Sequence, residues 1–324
     1  MCYEIIHSPA AEREAELFAA AHPLGSFMQS PRWALVKPAW GHRTVVSRDG
    51  SGRIRGSMLV LTLADRGDGS ALLYAPRGPV CDPQDTAAAA DLIAGARRLT
   101  EDFGHGEFKC DPLFSADSAG VQTLTALGLE NDPAAGFGDT VQPRENAVRR
   151  GLAGMSEEQL FASFSAKTRQ RIGAAAQYGV ECTACGSEAL AEFYPVYAAM
   201  GQRKGFTVRP EGYLRDLLNA FGGDARRYLC RKDGEVRAGA IAVAFGPRVS
   251  YVYGGSDRAQ PELCVGYRLQ WEMLRFALER GCDIYDLGGI CTDAAESAAM
   301  HDLYRFKRNF SRAEKTAGDF RFTF

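Results

Sequence analysis

The chain has 324 residues, 46% of them apolar and 24% charged, with a formal net charge of −2. That is a globular composition, long enough for two ordinary domains. The near-zero balance excludes a nucleic-acid binder that works through its whole-molecule field, so any contact with RNA has to use a local basic patch. No apolar run approaches the ~20 residues of a membrane span. The N-terminus lacks the basic and apolar regions of a secretory signal. The nine cysteines are scattered and are expected to be reduced cytosolic thiols, not a disulfide framework.

In chain order, Ser8-Pro9 and Ser30-Pro31 are helix openings, serine as N-cap and proline in the first turn. The second carries Trp33, Lys37 and Trp40. Strand-like runs near 43–49 and 54–64 flank the turn sequence Asp49-Gly-Ser-Gly52. A strand near 71–75 leads into Tyr74-Ala-Pro-Arg-Gly-Pro-Val80, an Ala-rich helix covers about 84–103, and 106–111 is a strand ending on Asp111. A break near 144–154 fits a domain boundary. Beyond it, Ser156-Glu-Glu-Gln159 is a capping box opening one long helix that Gly179 closes. Then the first order returns: strand 226–232, turn Asp233-Gly234, strand 235–245, strand 250–253, helix 265–280, and strand 282–286 ending on Asp286. Element order repeats where identity does not, which predicts a duplicated α+β unit. The last residues, 319–324, read as a strand that needs a sheet to join.

Several groups could carry chemistry. Leu303-Tyr-Arg-Phe-Lys-Arg-Asn-Phe310 alternates aromatic and basic residues; its cations suit an anion or oxyanion and its rings offer stacking surfaces. The blander alternative is an amphipathic helix with a solvated basic face. Arg209, just before Pro210, suits a bidentate grip on phosphate or carboxylate, or a surface salt bridge. Lys37 between two tryptophans either binds phosphate or snorkels from an apolar face. Cys182-Thr-Ala-Cys185 has C-x-x-C spacing, but no second ligand pair for zinc and no Gly-Pro for a redox helix, so two reduced thiols on a strand edge are expected. The helix after 263 sits where an acetyltransferase fold holds a pyrophosphate, yet only Gly266 is there to let backbone N–H groups approach. No cofactor and no metal site are therefore expected.

Taken together, the ordered segments Phe27-Met-Gln-Ser-Pro-Arg-Trp-Ala-Leu-Val-Lys37 with Trp40-Gly41, Tyr74-Ala-Pro-Arg-Gly-Pro79, Phe164-Ser-Ala-Lys-Thr-Arg-Gln-Arg-Ile172, Gly205-Phe-Thr-Val-Arg209 with Tyr213, Tyr251-Val-Tyr-Gly-Gly-Ser256, Ile284-Tyr-Asp-Leu-Gly-Gly289 and Leu303-Tyr-Arg-Phe-Lys307 resemble the Fem (FemABX) family. These are tRNA-dependent aminoacyltransferases that build peptidoglycan cross-bridges. The interval 172–226 has no room for a helical arm, so the chain resembles the compact members. It departs from many of them in having Ser311, not glycine, after Phe310.

The resemblance implies an α+β fold of two tandem acetyltransferase-like (GNAT-type) domains, mixed central sheets flanked by helices. The first, 1–150 plus 312–324, would bind the precursor and the second, 151–311, the aminoacyl-tRNA. It implies transfer of an amino acid from aminoacyl-tRNA to a stem-peptide amine of a lipid-linked or nucleotide-linked precursor, in the cytoplasm, with peripheral contact at the inner face of the membrane allowed by a lipid-linked substrate. By the same resemblance Asp111 would help deprotonate the amine, Lys307 would stabilise the oxyanion and Phe306 would pack beside the tRNA terminus. Lys37 and Arg209 would hold the diphosphate. Tyr213, Tyr251 and Tyr253 would line the precursor groove, and Arg305, Arg308 and Arg312, extended by Lys167, Arg169 and Arg171, would meet the tRNA acceptor end. Asp111 keeps a second reading as a strand-end turn residue before Pro112. Two other functions remain open: a coenzyme A-dependent N-acyltransferase on the same fold, and a non-catalytic tRNA- or precursor-binding relative. The transferred residue is left among glycine, alanine and serine.

Overall fold

The computed structural model describes residues 2–136, 138–205, 207–257, 259–295 and 297–324. Phe206, part of the Arg209 motif, lies outside the described residues. The chain divides into two compact units: residues 1–146, 289–300 and 314–324 form the first, and residues 147–288 and 301–313 the second. The domain boundaries expected from the sequence put 289–300 in the second. It belongs to the first because Ile290 and Thr292 bond back to Glu145, backbone to backbone at 2.9 Å and through the Thr292 N–H at 2.8 Å.

The first unit runs β1 (Tyr3–Ile6), α1 (Pro9–Ala21), α2 (Pro31–Leu35), β2 (Gly41–Arg48), β3 (Ile54–Leu63), β4 (Ala71–Ala75), β5 (Val80–Cys81), α3 (Thr86–Thr100), β6 (Gly106–Cys110), α4 (Ala119–Ala126) and β7 (Glu130–Asn131). Next comes β8 (Glu145–Arg149). The second unit contains α5 (Glu157–Ala162), α6 (Ala166–Gln177), β9 (Glu181–Cys185), α7 (Leu190–Lys204), α8 (Glu211–Phe221), β10 (Ala225–Lys232), β11 (Glu235–Phe245), β12 (Arg248–Ser256), α9 (Val265–Glu279) and β13 (Ile284–Gly289). The chain closes with α10 (Ala298–Lys307), β14 (Arg312–Lys315) and β15 (Phe320–Thr323).

Both sheets follow one plan. The first has the order β1-β2-β3-β4-β6-β15-β7, with β5 against β3, and the second β14-β8-β13-β12-β11-β10-β9. Each contains a parallel pair, β4 with β6 and β12 with β13. A parallel pair demands a crossover, and α3 and α9 are those crossovers. Helix α3 buries Ala88, Leu92, Ile93 and Ala96 against β1, β2 and β3. In the second unit α9 buries Met273, Leu274, Phe276 and Ala277 over β10, β11 and β12.

The two parallel pairs differ in a way that matters. β4 and β6 stay paired along their whole length, Ala71–Ala75 against Gly106–Cys110. β12 and β13 pair only from Arg248↔Ile284 to Ser250↔Asp286. Beyond that point both continue as strands, Tyr251–Ser256 and Leu287–Gly289, without bonding each other.

Two further expectations are corrected. The helix expected from Ser156 to Gly179 is two helices. The capping box forms as read, but Ser165 caps a second helix by accepting from the Thr168 N–H. Between them Phe164 turns inward, 4% exposed, with its ring edge-on to Trp271 and Phe310. The second concerns Cys182. β9 and β10 pair in the register Cys182↔Cys230, and these two sulfurs are joined as a disulfide. Cys185 remains a free thiol.

Candidate active site

In the first unit, Asp111 follows the last residue of β6. It is 1% exposed, and both its oxygens are engaged. The Tyr74 hydroxyl donates to Oδ2 at 2.8 Å and the Arg77 backbone N–H donates to Oδ1. Arg77 has φ of 57°, a left-handed turn that a residue with a Cβ enters only when its surroundings hold it there. They do. Gln29 bonds the Pro76 carbonyl at 2.8 Å, and the Arg77 guanidinium donates to the Pro143 carbonyl at 3.1 Å. Burial raises the Asp111 carboxyl to about 7, against the lowering effect of Arg77 and the two donors. Asp319, one residue before β15, lies next in register to Asp111 because Phe320 pairs with Cys110. Burial raises Asp319 as well. Lys37, also in this unit, places Nζ 4.6 Å from the centre of the Trp33 ring.

The second unit holds the remaining predicted residues, in two groups. One centres on Arg209, which is exposed and lies 5.3 Å from the Tyr213 ring centre. Tyr213 and Tyr253 meet edge-on at 6.1 Å with their hydroxyls 3.4 Å apart. Tyr197 joins them, edge-on to Tyr253 and hydrogen-bonded to the Arg209 backbone. Sequence reading missed Tyr197, since a buried tyrosine on an amphipathic helix carries no local mark.

The other group centres on Lys307 in the last turn of α10. It is 4% exposed. Nζ lies 5.9 Å from the Tyr251 ring centre and beside Gly288, whose φ is 76°. Tyr251 and Gly288 both follow the point where β12 and β13 stop pairing. Burial pulls the ammonium down to about 8, and Asp286 works in the opposite direction. Tyr251 is pushed up to about 12 by burial. Phe306 stands edge-on to Tyr267 and Phe310 at 5.2 and 5.6 Å. Gly266 leaves room for it: a Cβ there would be 3.3 Å from the Phe306 ring. The one glycine that could have served a pyrophosphate is therefore spent on packing, and 257–264 contains none. Ser311 replaces the family glycine without strain, its hydroxyl capping the Lys307 carbonyl at 2.8 Å.

Arg305, Arg308 and Arg312 are exposed. Arg171 bonds the Tyr267 hydroxyl and lies 5.0 Å from that ring's centre. Arg149, half-buried, lies 5.7 Å from the Phe164 ring and is lowered by burial and by Arg312. The second unit thus has an aromatic cluster edged with guanidinium groups.

A duplicated acetyltransferase-like plan with a buried lysine beside the splayed strands of its second copy defines a class of acyl-transfer folds. Within that class the FemAB family model matches residues 11–235 and 227–324, and the chain belongs to that family. It is 29% identical over 311 residues to the UDP-N-acetylmuramoylpentapeptide-lysine N(6)-alanyltransferase of Weissella viridescens, covering 94% of this chain and 90% of that one. It is 23% identical over 372 residues to the lipid II:glycine glycyltransferase of Staphylococcus haemolyticus, covering 91% and 87%. A crystal structure of FemX shares the fold with a TM-score of 0.89 at 21% identity, covering 99% of this chain and 97% of that one. No helix among the described residues is long and apolar enough to cross a membrane.

Proposed function

We propose that this protein is an aminoacyltransferase that moves an amino acid from aminoacyl-tRNA to the stem-peptide amine of a peptidoglycan precursor. The observation that carries the reading is Lys307, a lysine ammonium enclosed beside Gly288 and Tyr251. The alanyl- and glycyltransferase relatives supply the substrate class. The amine nitrogen bonds to the ester carbonyl carbon, the ester C–O bond to the terminal ribose breaks, and the ribose hydroxyl leaves with a proton. Between these events the carbonyl oxygen is an oxyanion. A preorganised cation aimed at it, out of water, contributes roughly 3 kcal/mol. In this reading Lys307 takes that role, with Phe306 offering a ring to the terminal nucleotide and Arg305, Arg308 and Arg312 meeting the acceptor stem.

Lys37 and Arg209, each over an aromatic ring, are the cations that would hold the precursor's diphosphate, and Tyr213, Tyr251 and Tyr253 the tyrosines that would line its groove. Asp111 braces the Arg77 turn and, with lone pairs left on both oxygens and its carboxyl raised to about 7, would help take the proton from the amine. Holding two large substrates in register supplies most of the rate.

The test is single-turnover transfer from tRNAs charged with glycine, alanine or serine to nucleotide-linked and lipid-linked precursors. One pair should give a new peptide bond seen by mass. Lys307→Met should lower turnover at least about a hundredfold with precursor affinity nearly unchanged, because the oxyanion exists only after attack. Lys307→Arg should rescue in part, since a planar guanidinium places its charge differently. Wild-type turnover in Lys307→Met would leave the segment as a docking surface only.

A further inference from the structure

Asp286 ends the paired stretch of β13, opposite Ser250. Its carboxylate is committed in two directions. Oδ2 accepts from the Arg248 guanidinium at 3.1 Å, and Oδ1 accepts from the Gly288 N–H at 2.8 Å. The second bond closes a turn over Leu287 that sets Gly288 in its left-handed conformation. Gly288 in turn lies beside the Lys307 Nζ, which a Cβ at that position would meet at 3.9 Å. The pair is enclosed: the Arg248 and Asp286 side chains are 5% and 16% exposed. A buried carboxylate beside two cations is costly to arrange, and a strand could end without one.

We infer that Asp286 is a positioning residue for Lys307: by fixing the Gly288 turn and lending one negative charge shared with Arg248, it sets where the Lys307 ammonium sits and keeps it charged. This rests on the oxyanion role of Lys307 proposed above. The titratable and charged groups facing that ammonium include Asp286 on β13, itself paired with Arg248, and Tyr251 on β12. Arg305 and Arg308 on its own helix segment are exposed. Asp286 is the carboxylate that opposes the effect of burial on Lys307. An oxyanion is stabilised by the ammonium and not by the neutral amine. Activity that depends on Lys307 is therefore lost as pH rises through its pKa, and removing Asp286 moves that loss to lower pH.

The experiment measures turnover of Asp286→Asn relative to wild type from pH 5.5 to 8.5. Taking the ratio cancels the ionisation of the acceptor amine. With the wild-type lysine near 8, the ratio should be about threefold lower at pH 7.5 than at pH 5.5 if the lysine falls by one unit and about twentyfold lower if it falls by two, with KM for both substrates nearly unchanged. Asp286→Glu should restore part of the loss. If Asp286→Asn does not fold, because Arg248 is left buried and uncompensated, the Asp286→Asn/Arg248→Gln pair removes both charges and is measured in the same way. A ratio that is flat with pH in the folded variant overturns the inference. Failure of the underlying reading is separate: it would appear as wild-type turnover in Lys307→Met.

Discussion

Asp111 and Lys307 show one cause acting with opposite sign. Burial favours the neutral form of each, so the carboxyl rises to about 7 and the ammonium falls to about 8. For Asp111 the folded pKa lies above the ordinary ~3.9 of an unfolded aspartate. Its stabilising effect is then complete below the unfolded value and is lost as pH rises through about 7. Wild type should lose stability against Asp111→Asn, which does not titrate, between about pH 4 and pH 7, and the difference should level off above. Urea unfolding at several pH values reads this directly, and a constant difference would show an unperturbed carboxyl. Lys37→Ala and Arg209→Ala should each weaken binding of a nucleotide-linked precursor much more than binding of tRNA. The loss should be larger at low salt, because exposed ion pairs are screened. Wild-type titration curves for both variants would remove the diphosphate assignment. None of these environments is written in the sequence. Asp111 before Pro112 reads equally as a turn residue, and only the burial of β6 under its neighbours decides what its carboxyl faces.

At the scale of elements, local signals were reliable where the cause was local. Ser8 and Ser30 cap their helices, the capping box at Ser156 forms, and the strand 235–245 was read to its ends. The misreadings share a different cause. The helix after Ser156 breaks because Phe164 finds Trp271 and Phe310, partners more than a hundred residues away in the chain. Cys182 is expected from the sequence as a reduced thiol, and β-sheet register instead sets it opposite Cys230. The link from Asp286 to Arg248 and Lys307 likewise needs the β12–β13 pairing. Gly266 offers a test where element and site meet. Gly266 is the second residue of α9, so alanine there gains less than the ~1 kcal/mol of a helix-interior position, and its Cβ would lie 3.3 Å from the Phe306 ring, tight enough to shift it. Gly266→Ala should melt at or slightly above the wild-type temperature yet transfer more slowly. Unchanged turnover with a raised melting temperature would mean that the position of Phe306 does not matter to the reaction.

At the scale of the whole molecule, the chain ends where it began. β15 enters the first sheet between β6 and β7, pairing with both, and the Phe324 carbonyl and N–H bond Gly106 beyond it. Phe320 and Phe322 are 0% and 6% exposed, and Phe322 stacks on Phe108 at 5.0 Å. Burying two such rings is worth about 1.5–3 kcal/mol each, which against a total of about 5–15 kcal/mol is a large share of what holds a domain. Removing the strand also uncovers the edge of β6 and leaves β7, a strand of two residues, without its partner. A chain ending at Glu314 should therefore lose cooperative unfolding of the first unit, and limited proteolysis should cut within residues 1–146 first. The loss should be reversible in trans: a peptide covering 315–324 should restore protection, because the slot it fills is defined by β6 and β7. Phe322→Ala alone should cost about 3–5 kcal/mol without abolishing the fold. A truncated chain that melts like wild type would mean that the first unit is complete without its last strand.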